Sequence, residues 1–228
     1  AHVAGLIAGG VHPNPLDYGF DVMTTTTHKT LRGPRGGLIL SNGKVSNPLK
    51  KPEHQLENIP TLIDRSVFPG TQGGPICQNI AGKAIAFAEA GTSEFKNYAE
   101  QVLKNAKAMA EVFKQYGMEM QTDGTDNHLI LMNTKKFCGM SGKEAEELLG
   151  QYGIIVNKNS LHGDTGTKAN PDGVRLGTPA ITTRGADEAI CKRIATAISE
   201  ILLGFPNHNR EHITEWIHEL THNLLAGC

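Results

Sequence analysis

Apolar positions recur with two different periods along this chain of 228 residues, and the switches between them mark its elements. Phe20 to Thr27 is rich in β-branched side chains and predicts a strand. Leu38-Ile-Leu40 predicts a second, reached through the turn Gly33 to Gly37. Further strands are expected at Leu129 to Met132, Ile154 to Val156 and Val174 to Thr178. Ile76 to Ala90 places Ile80, Ala84, Ile85 and Ala88 at helical spacing and predicts a helix buried nearly all round. Phe95 to Tyr116 predicts a long helix charged at Lys96, Glu100, Lys104, Lys107, Glu111 and Lys114. Ser141-Gly-Lys-Glu144 is a capping box, opening a helix that runs to Leu149. Ala186 to Leu203 predicts another helix, and Ile213 to Leu225 a last one with Ile213, Trp216, Ile217, Leu220 and Leu224 on one face. Val3 to Gly10 is small and apolar before the break at His12-Pro-Asn-Pro15. Residues 41–66 predict a loop with some helix, and Pro69-Gly-Thr-Gln-Gly-Gly-Pro75 a second glycine-rich turn. Strands alternating with helices give an α/β layered architecture. A composition shift at Gly91-Thr-Ser93 puts a domain boundary near residue 91.

Size and charge narrow the field. A chain of this length holds one large domain or two small ones with a genuine core. The formal net charge of −1 argues against nucleic acid and against an acidic membrane surface. No apolar run is long enough to span a bilayer, and no signal peptide stands at the start. Cys77, Cys138, Cys191 and Cys228 form no C-x-x-C pair, which fits reduced thiols and a cytoplasmic protein.

The chemistry concentrates in the run Asp21-Val-Met-Thr-Thr-Thr-Thr-His-Lys-Thr-Leu-Arg-Gly-Pro-Arg-Gly-Gly37. A lysine desolvated at the end of a strand becomes available as the free amine. A free amine condenses with an aldehyde to an imine, which is the chemistry of a pyridoxal phosphate (PLP) enzyme. The competing reading is a surface lysine behind a Thr-rich strand.

The run, together with Ala-His-Val-Ala-Gly (1–5), Phe-Pro-Gly-Thr-Gln-Gly-Gly-Pro (68–75), Gly-Thr-Asp-Asn-His-Leu (124–129), Val-Asn-Lys-Asn-Ser (156–160) and Arg-Leu-Gly-Thr-Pro-Ala (175–180), resembles the serine hydroxymethyltransferase family. The resemblance implies a PLP-dependent transferase of fold type I, like aspartate aminotransferase. Residues 1–91 would be the end of the large, mostly parallel sheet domain, and residues 92–228 a small α+β C-terminal domain. It implies Lys29 as the Schiff-base lysine, Thr26 near the imine, His28 in the same wall, His2 by the cofactor's phenolic oxygen and Arg35 orienting the site. Gly73 and Gly74 would offer backbone N–H groups to the cofactor phosphate of a neighbouring subunit, where bare amides suit an anion. That makes the protein a homodimer, or a tetramer built from one, with a shared active site. Arg175 would grip the substrate carboxylate through two hydrogen bonds. Asn159 and Phe68 resemble folate contacts. The implied reaction moves the hydroxymethyl carbon of L-serine to tetrahydrofolate, giving glycine and methylene-tetrahydrofolate.

One departure is expected to matter. The family's D-x-A-H motif opens here at Ala1-His2, so its aspartate, which pairs with the pyridine nitrogen, would precede the chain. The 228 residues therefore read as a C-terminal half, inactive without its N-terminal half. Two alternatives remain: another enzyme of the same fold, such as a threonine aldolase, or a non-catalytic dimerising fragment. His218-Glu-Leu-Thr-His222 matches the zinc-protease pattern H-E-x-x-H, but no third ligand follows it, and no metal is expected. His208 and His212 read as a surface pair.

Overall fold

Most helix starts are written in short polar side chains. In the computed structural model, which describes residues 1–43, 59–204, 214–219 and 221–222, each acceptor takes a first-turn N–H. The chain divides into two compact units, Ala1–Ala99 and Glu100–Cys228.

The first unit opens with helix α1 (Ala4–Ala8) and a single 3₁₀ turn at Pro15–Tyr18, started by the Asn14 side chain on the Leu16 N–H. Strands β1 (Val22–Thr26) and β2 (Gly37–Ser41) follow as an antiparallel pair, with Thr26 opposite Gly37 and Val22 opposite Ser41. Helices α2 (Ile59–Val67) and α3 (Cys77–Ala90) complete it, with the first turns of α4 (Ser93–Gln115). Its core is small: Ala4, Leu31, Ala90 and Phe95, with Tyr98 packed against them. Here the structure departs from the sequence reading. α3 buries only Ala86 and Ala90, and leaves Ile80 54 % and Ile85 64 % exposed. A helix apolar on all sides needs neighbours on all sides. Among the described residues the first unit offers one two-stranded sheet.

The second unit contains its own complete core. β3 (Leu129–Asn133), α5 (Thr134–Cys138), α6 (Gly142–Gln151), β4 (Asn157–Asn159), β5 (Gly173–Gly177), α7 (Pro179–Thr183) and α8 (Glu188–Leu203) follow the rest of α4. The capping box at Ser141 and Glu144 is formed in full, Asn133 caps α5 and Asp187 caps α8. The sheet order is β3-β5-β4, antiparallel throughout. Strand alternation sends Ile130, Met132, Val174 and Leu176 to one face. There they are buried with Phe113, Leu149, Ile198 and Leu202.

Three differences have physical causes. The mostly parallel sheet implied by the resemblance is not among the described residues, whose two sheets are both antiparallel. The strand expected at Ile154 to Val156 forms at Asn157–Asn159 instead, because the ladder to β5 starts at Asn157 opposite Arg175. Val156 is buried just before it and Ile155 points outward. α1, α5 and α7 were not expected, since five residues hold too little of the helical period to read. Of the last predicted helix, residues 214–219 and 221–222 are helical, and Ile213, Leu220 and Leu224 lie outside the described residues, as do His208 and His212. No described helix is long and apolar enough to cross a membrane.

Candidate active site

Lys29 stands three residues beyond β1, half-buried, at the tip of a loop that is pinned at its base. The pin is Thr27, fully buried. Its N–H donates to the Gly36 carbonyl (3.1 Å), its hydroxyl to the Pro34 carbonyl (2.6 Å), and its own carbonyl accepts from the Gly33 N–H (2.8 Å). The tip is tight. The Arg32 N–H donates to the Lys29 carbonyl at 2.9 Å, and Arg32 takes a left-handed φ of 61°, which few non-glycine residues adopt. Its guanidinium lies 4.7 Å over the Tyr98 ring. The Lys29 ammonium makes no hydrogen bond or ion pair among the described residues.

Thr30 ties this loop to the start of the chain. Its buried hydroxyl donates to the His2 carbonyl (2.7 Å) and accepts from the Gly5 N–H (2.8 Å). A Cβ on Gly5 would collide with the Thr30 carbonyl oxygen, so the two backbones touch as only glycine allows. Half-buried His2 is thereby held beside the segment that carries Lys29. The sequence reading missed Thr27 and Thr30 as the pins. Their hydroxyls are indistinguishable by pattern from the rest of the threonine run.

The four threonines of the run sit differently. The hydroxyls of Thr25 and Thr26 are buried and find no partner among the described residues. An unpaired buried hydroxyl costs about 1–3 kcal/mol, so such groups normally have a partner. His28 takes the Gly36 N–H on Nδ1 (3.3 Å), and the Arg35 guanidinium approaches its Nε2 (3.4 Å). A neutral imidazole has one acceptor nitrogen, so it satisfies only one of these two donors at a time. Arg35 is exposed and shares a cleft of about 910 Å³ with Phe68, Thr25, Gln72, Asn79 and Lys83. Gly73 and Gly74 are exposed, and among the described residues a Cβ on either would meet nothing within 4 Å.

Arg175 and Asn159 belong to the second unit. Arg175 is the middle residue of the central strand, opposite Leu131 on one side and Asn157 on the other. These three side chains leave the sheet on the face away from the core. Asn133, Gly173 and Asn159 form the next row of that face. A Cβ on Gly173 would lie 2.6 Å from Leu161 Cδ1, so Leu161 walls one end. The face thus holds one cation and no acid in its strands. Arg175 is half-buried and its guanidinium has no hydrogen bond or ion pair among the described residues. A half-buried arginine with apolar and amide neighbours is suited to a carboxylate ligand. Glu146 of α6 fixes edge strand β4 from its open side: it accepts the Lys158 N–H at 3.0 Å and pairs with its ammonium at 3.6 Å.

Two thiols are withdrawn into the structure. Burial, reinforced by Asp187 and Glu188, pushes the Cys191 thiol up to about 12. Burial likewise raises the Cys138 thiol. His218 and His222 are exposed, and among the described residues no cluster of three His, Cys, Asp or Glu could hold a metal ion.

Comparison with known proteins agrees with the motifs. The family model described as serine hydroxymethyltransferase matches residues 1–198. The chain is 48 % identical over 226 residues to the serine hydroxymethyltransferase of Coprothermobacter proteolyticus, covering 99 % of this chain and 51 % of that protein. It is 50 % identical over 202 residues to serine hydroxymethyltransferase 1 of Pseudomonas aeruginosa, covering 89 % of this chain and 45 % of that one. The chain spans about half the length of these relatives and matches their C-terminal half. With this match running through both the lysine loop and the arginine strand, the chain belongs to the serine hydroxymethyltransferase family.

Proposed function

We propose that this chain is the C-terminal half of an enzyme that moves the hydroxymethyl carbon between L-serine and tetrahydrofolate, using PLP, and that it is inactive alone. The observation that carries the reading is the pinned loop that presents Lys29. Among the described residues half-buried Lys29 has no counter-charge, and the buried Thr26 hydroxyl has no partner. Both features suit residues that meet a bound group, and bare Gly73 and Gly74 suit a phosphate oxygen. The residues fit PLP. When bound, PLP supplies an electron sink for charge developing at the substrate Cα.

The protein's own part is positional. Lys29 offers its amine from a backbone held by Thr27 and Thr30. Thr26 donates its hydroxyl near that amine, His2 and His28 bound the same wall, and Arg35 approaches His28. Arg175 orients the substrate by its carboxylate, and Asn159 and Phe68 serve the folate. Gly73 and Gly74 act across the interface of a homodimer or of a tetramer built from it, in the cytoplasm. The large domain ends near residue 91 in this reading, and residues upstream supply the acid for the pyridine nitrogen.

The test is chemical labelling. A full-length protein with this sequence as its C-terminal half is loaded with PLP, reduced with borohydride and mapped by peptide mass. The label is expected on Lys29 and is lost in Lys29→Ala. A label on another lysine, or none, overturns the reading. Folate-independent cleavage of serine at the folate-dependent rate would favour an aldolase instead.

A further inference from the structure

We propose that Asn157 is the positioning residue for the Arg175 guanidinium, and that its lack of charge keeps that guanidinium open to a carboxylate ligand. The inference rests on the reading of Arg175 as the carboxylate anchor.

Asn157 is the Cα partner of Arg175 in the β4–β5 ladder. Cross-strand partners stand side by side on one face, with Cβ atoms about 4.5–5.5 Å apart. A guanidinium has five N–H donors and no acceptor, and a carboxylate takes two of them in parallel. The remaining donors need oxygen. Around Arg175 the sheet offers little: Leu131 lies on the other side, and Gly173 and Gly177 flank it in its own strand. The Asn133 side-chain oxygen accepts the Lys136 N–H (3.0 Å), and the Asn159 side-chain N–H donates to the Ser160 carbonyl (2.7 Å), which leaves the Asn159 oxygen, two residues from the register partner, as a second acceptor. The Asn157 side chain is exposed and makes no hydrogen bond among the described residues. Among the described residues, five donors without partners therefore share a face with two amide oxygens without partners, and only Asn157 stands directly opposite Arg175. Strand β4 is too short to slip, because Glu146 holds Lys158 at its middle. An aspartate in place of Asn157 would be isosteric, but would pair with Arg175 as a salt bridge and compete with the ligand. An uncharged amide at this place can accept from the guanidinium without satisfying its charge.

The experiment uses the full-length, PLP-loaded protein and calorimetric titration with glycine and with glycinamide, which lacks the carboxylate. Asn157→Asp is expected to weaken glycine roughly fivefold, the scale of an opposite-charge cross-strand pair, and to leave glycinamide unchanged. Asn157→Leu, which removes the acceptor without adding charge, should weaken glycine by roughly twofold and spare glycinamide. Equal weakening of both ligands by Asn157→Asp means a merely structural effect and overturns the proposal. So does unchanged glycine binding in Asn157→Asp while Arg175→Ala loses it. If Arg175→Ala keeps the preference for glycine over glycinamide, the reading of Arg175 itself fails. Should Asn157→Asp not fold, the Asn157→Leu pair of titrations decides in the same way.

Discussion

Replacing Asn105 by alanine should cost the second unit about 3 kcal/mol, and the structure says where each part comes from. Asn105 is fully buried in α4. Its amide donates to the Thr182 hydroxyl (2.9 Å) and the Ala186 carbonyl (2.8 Å), and its oxygen accepts from the Gln101 amide (2.9 Å). Gln101 also donates to Glu188 (2.9 Å), and the Thr182 hydroxyl donates onward to the Thr178 carbonyl (2.9 Å). The Thr178 hydroxyl donates to the Val102 carbonyl (2.8 Å). One side chain therefore joins α4, α7 and the start of α8, immediately beyond the strand of Arg175. Three net hydrogen bonds at about 1 kcal/mol each make up the cost, which falls on groups the change strands, the buried Ala186 carbonyl among them. For a chain of this size, about 3 kcal/mol lowers the melting temperature by roughly 6–12 °C. Thermal unfolding followed by circular dichroism measures it, with exposed Lys107→Ala as a control expected within about 0.5 kcal/mol. Asn105→Asp separates hydrogen bonding from volume. It keeps the shape but turns a carboxyl oxygen toward the Ala186 carbonyl, and burial favours the neutral acid. Its folded pKa lies above its unfolded one, so its stability falls as pH rises and recovers on acidification. An Asn105→Asp protein as stable as the parent at neutral pH would refute the network as drawn.

Three more expectations follow from particular contacts. Glu144 is held below its ordinary pKa by the Ser141 N–H and hydroxyl, Asp172 by the Thr165 hydroxyl and N–H, and Glu188 chiefly by Gln101. Their folded pKa values lie below the unfolded ones, so their contribution is present above about pH 4.5 and fades as pH falls through the folded values. Urea midpoints should hold between about pH 7 and 5 and decline below, and a midpoint that rises on acidification contradicts the sign. Gly5→Ala should push the His2 segment off Thr30, since its Cβ meets backbone rather than a movable side chain. Limited proteolysis before Leu31 should then accelerate, and unchanged cleavage would mean that the segment yields freely. Gly73→Ala meets nothing within 4 Å among the described residues, so its melting temperature should not move. In the full-length protein it should weaken PLP retention on dialysis, and equal retention removes Gly73 from the phosphate site.

Much of this was legible in the chain because it is local. The Ser141–Glu144 box is a three-residue spacing with its own hydrogen bonds, and it stands where the sequence put it. β1, β2, β3, β5, α3, α4 and α8 follow their periodicities to within a few residues. What stayed hidden depends on contacts far apart in sequence. β4 was sought over Ile154 to Val156, where β-branched residues cluster, yet the strand is defined by the β5 edge three residues later. The burial of α3 was overread because apolar content reports what a helix could bury, not what stands beside it.

The candidate site divides along the same line. Lys29, His28 and Arg35 were readable as a run, and their neighbours in that run do pin the loop. The tie from Thr30 to His2 spans 28 residues and has no sequence signature. Asn157 and Asn159 both lie in the motif Val-Asn-Lys-Asn-Ser (156–160), two positions apart. In a strand those two share a face, so choosing between them requires knowing which one stands opposite Arg175. Only the register says that it is Asn157. An amide there is uninformative in isolation. Next to a guanidinium whose described strands carry no acid on that face, its neutrality would leave the charge to the proposed ligand.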